Sequence, residues 1–334
     1  MQEKTAAIVG CGIWGRNLVR NFYALGALHT VCDLDFENLK IVKENYEGVC
    51  LTSDFESLLN SKEIQAIIIA TPSHTHYHLV KKALLAGKHV YVEKPIATSA
   101  KEAFELNKLA QKNDLTLMVG HLLLYHPAVN RLREIVQSGA LGEVSYAQSD
   151  RLNVNYFKND RSVMWDLAPH DLSMMSYVVG KDPINVISAV GCSSDKNDIM
   201  DIVHLGIKFE DGVTAHISNS WITPAKHVRL MVRGTKATAI LDDTLQENKL
   251  IIFDNFAPGQ QNVEYPDYLE IEPLKLECQH FLSCIKTGQT PRTDGENGYK
   301  VVKILEQADK IMLGAKLKEL DKVKFSSSRS KANV

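Results

Sequence analysis

Nowhere in the chain do about 18 apolar residues run together, which excludes a helix that spans a membrane. Charge of one sign is also missing. Lys and Arg number 38 against 40 Asp and Glu, a formal net charge of −2. A near-neutral chain sets up no basic field for a nucleic-acid backbone, so no nucleic-acid partner is expected. Long runs of like charge, the mark of an interaction tail, are absent as well. The cysteines (Cys11, Cys32, Cys50, Cys192, Cys278 and Cys284) are scattered. None stands at C-x-x-C spacing, so neither a zinc knuckle nor a redox motif is written. Cys11 and Cys32 lie in apolar strand-end contexts and read as small core residues. The first strand-like run, from Thr5 to Gly10, begins almost at Met1 and leaves no room for a removable leader. These absences together point to a reduced, cytoplasmic protein without an internal repeat.

What is present is the material of a globular core. Hydrophobic residues make up 45% of the 334 positions and charged residues 23%. That length allows one large domain or two ordinary ones. From residue 5 to about 120, apolar runs alternate with helical patterns. The strand signals are Ala6–Val9, His29–Cys32, Gly48–Leu51, Ile64–Ala70, His89–Val92 and Leu115–Val119. Between them lie helices over Trp14–Leu25, Phe36–Asn45, Asp54–Leu59 (Asp54 as cap), His76–Ala86 and Ser99–Asn113. Such alternation predicts a parallel, doubly wound sheet.

After residue 120 the pattern changes. Helices over Pro127–Ser138 and Val163–Val179 flank a strand at Val144–Leu152. Short β runs then follow one another without helices between them, from Ile184–Val190 to Leu250–Phe253, with Asp211-Gly212 as a hairpin signal. This predicts an α+β domain on a large open antiparallel sheet. Helices return at Leu274–Ile285 and Asn297–Leu313. The domains are set at 1–121, 122–325 and a disordered polar tail, 326–334.

The first strand runs into Gly10-Cys-Gly12-Ile13-Trp14-Gly15. The first glycine permits a tight turn, the second lets backbone approach a pyrophosphate, and the third lets helix pack on strand. The helix N-terminus then offers amides to the phosphates. Asp33, at the end of the second strand, suits the ribose hydroxyls and would repel a 2′-phosphate. Neither Leu34 nor Asp35 supplies a compensating cation, so NAD is the expected cofactor.

Ala70-Thr71-Pro72 and Glu93-Lys94-Pro95 close two later strands, at the edge where ligands of parallel sheets bind. A lysine leaving a buried strand needs a partner or a task. Asp166 and His170 stand at i, i+4, on one helix face. There a carboxylate orients an imidazole and favours its charged form, although a satisfied core histidine is equally consistent with that spacing. Lys94, Asp166 and His170 would meet over a substrate hydroxyl. His74-Thr-His76-Tyr-His78 lacks the accompanying ligands of a metal site. No metal is expected, and His76 is assigned to the turn beside the cofactor. Gly120-His121 serves either the nicotinamide pocket or a turn.

These strings, with Thr293-Asp-Gly-Glu296, resemble the glucose–fructose oxidoreductase/inositol dehydrogenase (Gfo/Idh/MocA) family up to about residue 320. The resemblance implies an NAD-binding Rossmann domain and a second domain whose sheet forms a homodimer or homotetramer. It implies Lys94 and His170 as the catalytic groups and Asp166 as the accompanying carboxylate. Gly10, Gly12, Ile13, Trp14, Gly15, Asp33, Thr71, Pro72, His76, Glu93, Lys94 and Trp165 would hold the cofactor. Many members carry glycines just before the aspartate, where this chain has Ser162-Val-Met-Trp165. Trp165-Asp-Leu-Ala-Pro-His-Asp171, Gly120-His121 with His126-Pro127, and Trp221 with Lys226 and Arg229 are similar to the branch acting on nucleotide-linked sugars. Arg151 and Asn153, with Lys94, Asp166 and His170, would then bind the sugar nucleotide. The implied reaction oxidises a secondary hydroxyl, C3 of a UDP-N-acetylhexosamine, for surface polysaccharide or lipid A sugars. An inositol or free-sugar dehydrogenase and a non-catalytic NAD-binding redox sensor are the alternatives.

Overall fold

A computed structural model describes residues 4–154, 161–194, 199–254 and 262–330, with side chains described as far as residue 314. The chain forms two compact units, one of residues up to Arg131 with Tyr268–Val302, the other of Leu132–Asp267 with residues from Lys303 onward.

The first unit opens with β1 (Ala6–Val9), α1 (Gly15–Ala24), β2 (Leu28–Cys32), α2 (Phe36–Asn45), β3 (Cys50–Thr52), α3 (Phe55–Asn60), β4 (Ala66–Ile69), α4 (Ser73–Leu85), β5 (His89–Glu93), α5 (Ala100–Lys112) and β6 (Leu117–Gly120). The six strands lie in the order β3-β2-β1-β4-β5-β6, every pair parallel. The order reverses between β1 and β4, the switch point where such sheets take their ligand. β1, β4 and β6 are buried at every position, which is why their sequences read as unbroken apolar runs. Asp35, Asp54 and Ser99 cap α2, α3 and α5 through backbone amides of Glu37, Glu56 and Glu102. β3 starts two residues later than its sequence signal. Gly48 turns the chain with φ +74°, and pairing to β2 begins only at Cys50.

After a 3₁₀ turn (Leu122–Tyr125), α6 (Pro127–Gln137) leads into the second unit. Its elements are β7 (Val144–Leu152), α7 (Val163–Val179), β8 (Pro183–Cys192), β9 (Ile202–Phe209), β10 (Thr214–Ser220), β11 (His227–Gly234), β12 (Ala237–Asp242), β13 (Leu250–Asp254) and β14 (Val263–Glu264). The sheet order is β14-β13-β12-β11-β7-β10-β9-β8. All pairs are antiparallel but one, the parallel pair β7–β10, so the sheet is mixed. β7 slots between β10 and β11, a long-range insertion that no local turn signals. Asp211 (φ +52°) and Gly212 (φ +85°) make the expected β9–β10 turn in the left-handed region. Helix α7 packs on β7, β9 and β10.

The chain then returns to the first unit through α8 (Pro273–Thr287) and the start of α9 (Gly295–Ser330). Phe281 of α8 is fully buried and meets Phe22 of α1 edge-on at 6.4 Å and Tyr91 of β5 at 5.8 Å. The Val119 amide donates to the Thr293 carbonyl at 2.7 Å, so this late segment continues the edge of the sheet beyond β6. The segment expected as a tail, 326–334, has helical backbone to Ser330, and 331–334 lie outside the described residues. Among the described residues no helix is long and apolar enough to cross a membrane.

Candidate active site

The glycines of the first turn are glycines for three different reasons. Gly10 has φ +88°, and a side chain there would strike the Ala70 backbone at 2.9 Å. At Gly15 a Cβ would lie 2.1 Å from the Gly10 carbonyl oxygen, so helix and strand ends touch only through hydrogen. Gly12 differs, because a Cβ there would meet nothing within 4 Å. The protein's own packing does not need that glycine; a ligand pressed against the loop does. Helix α1 starts without a side-chain cap and without an acidic residue in its first turn, leaving its positive end to an anion. Arg16, in that turn, has a buried Nε with no partner among the described residues. Residues fitted to a dinucleotide pyrophosphate are therefore in place, and Arg16 is one that sequence reading passed over. Ile13 and Trp14 stand exposed on the loop.

Asp33 follows β2. Its Oδ2 accepts the Cys11 amide at 2.7 Å and its Oδ1 the Asp35 amide at 2.9 Å, with Asn38 Nδ2 at 3.4 Å. Partial burial pulls its pKa upward, but these donors outweigh it and hold the carboxylate below the usual value. The aspartate thus also fixes the glycine loop, and Oδ1, which accepts only the Asp35 amide among the described residues, retains a lone pair for a ribose hydroxyl. NAD(H) is expected to bind at least tenfold more tightly than its 2′-phosphorylated form, since Asp33 and Asp35 oppose the extra charge. Competitive fluorescence titration measures that ratio, and tighter binding of the phosphorylated form would overturn the role given to Asp33.

The strand ends of β4 and β5 are tied together. His76 is buried, with Nε2 2.8 Å from the Thr71 carbonyl and Nδ1 2.7 Å from the Pro95 carbonyl. Thr71 Oγ1 meets Thr75 Oγ1 at 2.6 Å, and Pro72 precedes α4 directly. His76 therefore braces the Ala-Thr-Pro turn against the Glu-Lys-Pro turn. Glu93, buried at the end of β5, accepts from the Trp14 indole N–H and from the Lys94 amide at 3.3 Å. Lys94 is half-buried, and its charge acts on both Glu93 and His121. His121 is itself buried, with Nδ1 2.6 Å from Asn297 Oδ1. Burial pushes its pKa down to about 4, so it is neutral across the physiological range.

In the second unit, Asp166 and His170 lie one turn apart on α7, Asp166 buried in the first turn and His170 half-buried. Nδ1 of His170 is buried. Trp165, expected at the cofactor, donates its indole N–H to Asp309 Oδ2 at 2.6 Å within this unit. Arg151 is held through Nε, 3.0 Å from Asp171 Oδ1. Asp171 is fully buried and also accepts from Ser149 Oγ and from Asn219 Nδ2, both at 2.8 Å. Asn153, just past β7, donates its amide to Ser220 and accepts from Thr223 on its carbonyl.

Comparison with known proteins gives the family. The family model described as "Oxidoreductase family, NAD-binding Rossmann fold" matches residues 4–121, and that described as "GFO/IDH/MocA C-terminal domain" matches residues 129–240. The UDP-N-acetylglucosamine 3-dehydrogenase of Acidithiobacillus ferrooxidans is 29% identical over 90% of this chain and 95% of its own. Its solved structure superposes with a TM-score of 0.83 at 26% identity, covering 93% of this chain and 98% of that one. An uncharacterized oxidoreductase of Bacillus subtilis, YrbE, is 25% identical over 97% of this chain and 99% of its own. The scyllo-inositol 2-dehydrogenase (NAD(+)) of the same organism is 25% identical over 72% of this chain and 73% of its own. The chain belongs to the Gfo/Idh/MocA family of NAD-binding oxidoreductases.

Proposed function

We propose that this dehydrogenase oxidises C3 of a UDP-N-acetylhexosamine to the 3-keto sugar, in the cytoplasm, for surface polysaccharide or lipid A sugar synthesis. The observation that carries the reading is the likeness to the Acidithiobacillus enzyme along nearly the full length of both chains. When bound, NAD⁺ supplies the hydride acceptor. Gly10, Gly12, Ile13, Trp14 and Gly15 hold the pyrophosphate, and Asp33 the ribose. Thr71, Pro72, His76, Glu93 and Trp165 shape the nicotinamide side. His170 takes the alcohol proton on Nε2, a task suited to an imidazole near neutral pH. Lys94 Nζ donates to the same oxygen and stabilises the developing alkoxide. Asp166 orients His170. Arg151 and Asn153 bind the sugar nucleotide.

Exposed Ile184, Ile187 and Val190 on β8 support a homodimer or homotetramer formed through the second unit's sheet. A screen of NAD⁺ reduction against UDP-sugars and free polyols tests the reading. Turnover is expected with UDP-N-acetylhexosamines. Turnover of inositol instead would favour the second reading, which the likeness to scyllo-inositol 2-dehydrogenase supports.

A further inference from the structure

Behind the Glu-Lys-Pro turn lies a group of polar residues that the proposed chemistry does not use. The Tyr91 hydroxyl stands between two carboxylates, 3.3 Å from Glu93 Oε1 and 3.1 Å from Glu277 Oε2. All three side chains are buried, and Glu277 is wholly inaccessible. One hydroxyl carries one hydrogen and can donate to only one of the two oxygens. The other oxygen must bring its own proton or face a lone pair at hydrogen-bonding distance.

The surroundings decide which carboxylate is protonated. Burial pushes Glu93 up as well, but it receives the Trp14 indole N–H and the Lys94 amide, and the Lys94 ammonium acts on it. Among the described residues Glu277 has only the Tyr91 hydroxyl, and its Oε1 is buried with no partner there. The titratable groups around it add no compensating charge. Glu93 and Tyr91 face it from β5, Tyr125 from the 3₁₀ turn and Cys278 from its own helix. At the start of α8, Glu272 is paired with Arg20 of α1. The Tyr125 hydroxyl is engaged with Thr293 Oγ1 at 3.2 Å and Met118 Sδ at 3.9 Å.

We propose that Glu277 is a positioning residue held as a neutral carboxylic acid. Its Oε2–H donates to Tyr91, whose hydroxyl is thereby committed to Glu93. Glu93, as the carboxylate, clamps Trp14 of the dinucleotide loop and the backbone of Lys94. Burial and the Glu93 charge both push the Glu277 carboxyl well above the ordinary range, in the same sense. Gly120 walls the cluster, since a Cβ there would lie 2.7 Å from the Tyr91 hydroxyl. Removing the Glu277 proton would place a second buried carboxylate against the first. The clamp on Trp14 would then loosen, and NADH affinity would fall as pH rises through the Glu277 titration.

The inference rests on NAD binding and on the role given to the glycine loop, not on the identity of the sugar. Infrared difference spectra of wild type against Glu277→Gln are expected to show the carbonyl stretch of a protonated carboxyl at pH 7. The Kd for NADH in wild type should rise at alkaline pH by roughly 10- to 100-fold, the worth of a hydrogen bond to a charged group. Glu277→Gln, whose amide N–H can still donate to Tyr91, should keep the neutral-pH affinity and lose the alkaline rise. Absence of the protonated band at pH 7, or the same pH profile in both proteins, would overturn the proposal. Should the glutamine variant not fold, a shift of the wild-type band in Tyr91→Phe supports the hydrogen bond, and an unmoved band contradicts it. Both readouts stand whether or not any sugar is turned over.

Discussion

Lys94→Ala and His170→Asn are each expected to lower turnover by about 10²–10⁴-fold, the range for loss of a positioned acid–base group. The two losses should differ in kind. His170→Asn removes the group that takes the proton, so the limb of the kcat–pH profile set by that group should vanish while NADH affinity is unchanged. Lys94→Ala removes charge stabilisation and leaves that limb in place at a lower rate. Steady-state kinetics over pH, with NADH binding measured alongside, separates these outcomes. Near-normal turnover in both variants would remove the acid–base assignment.

Asp171→Ala is expected to cost about 3–5 kcal/mol of stability, the range for breaking a buried ion pair from one side. The size follows from what the carboxylate holds. It accepts Ser149 and Arg151 from β7 and Asn219 from β10, joining the one parallel strand pair of the second sheet to helix α7. Arg151, only 11% exposed, would be left as an uncompensated charge. Asn219, whose Oδ1 lacks a partner among the described residues, would keep only the longer contact from Nδ2 to the Ser218 carbonyl. Urea unfolding gives the difference directly. A loss below about 1 kcal/mol would mean that Arg151 finds water instead, the behaviour of an exposed pair.

What the sequence made legible was local. The six parallel strands of the first sheet, the glycine turn and the bounds of α7 all follow from periodicity and spacing, because neighbours along the chain create those signals. What stayed hidden depends on distant residues. The β7–β10 pairing joins segments separated by α7 and two strands. Helix α8 was readable as a helix, but its destination was not, since the burial of Phe281 depends on Phe22 and Tyr91. Glu277 is one acidic residue in an amphipathic helix, and only the arrival of Tyr91 and Glu93 makes it unusual. The place of Asp33 after the second strand points to a ligand, whereas its bond to the Cys11 amide depends on how the glycine loop folds back on that strand end.

Transfer of label from the sugar tests the central claim most directly, and it does so even where the equilibrium lies against net oxidation. The protein is incubated with NAD⁺ and UDP-N-acetylglucosamine carrying deuterium at C3, and the nicotinamide is analysed by mass spectrometry and NMR. Deuterium on C4 of the reduced ring is the result expected from hydride removal at C3. Full retention of deuterium in the sugar, alongside NAD⁺ reduction by a free polyol, would contradict it.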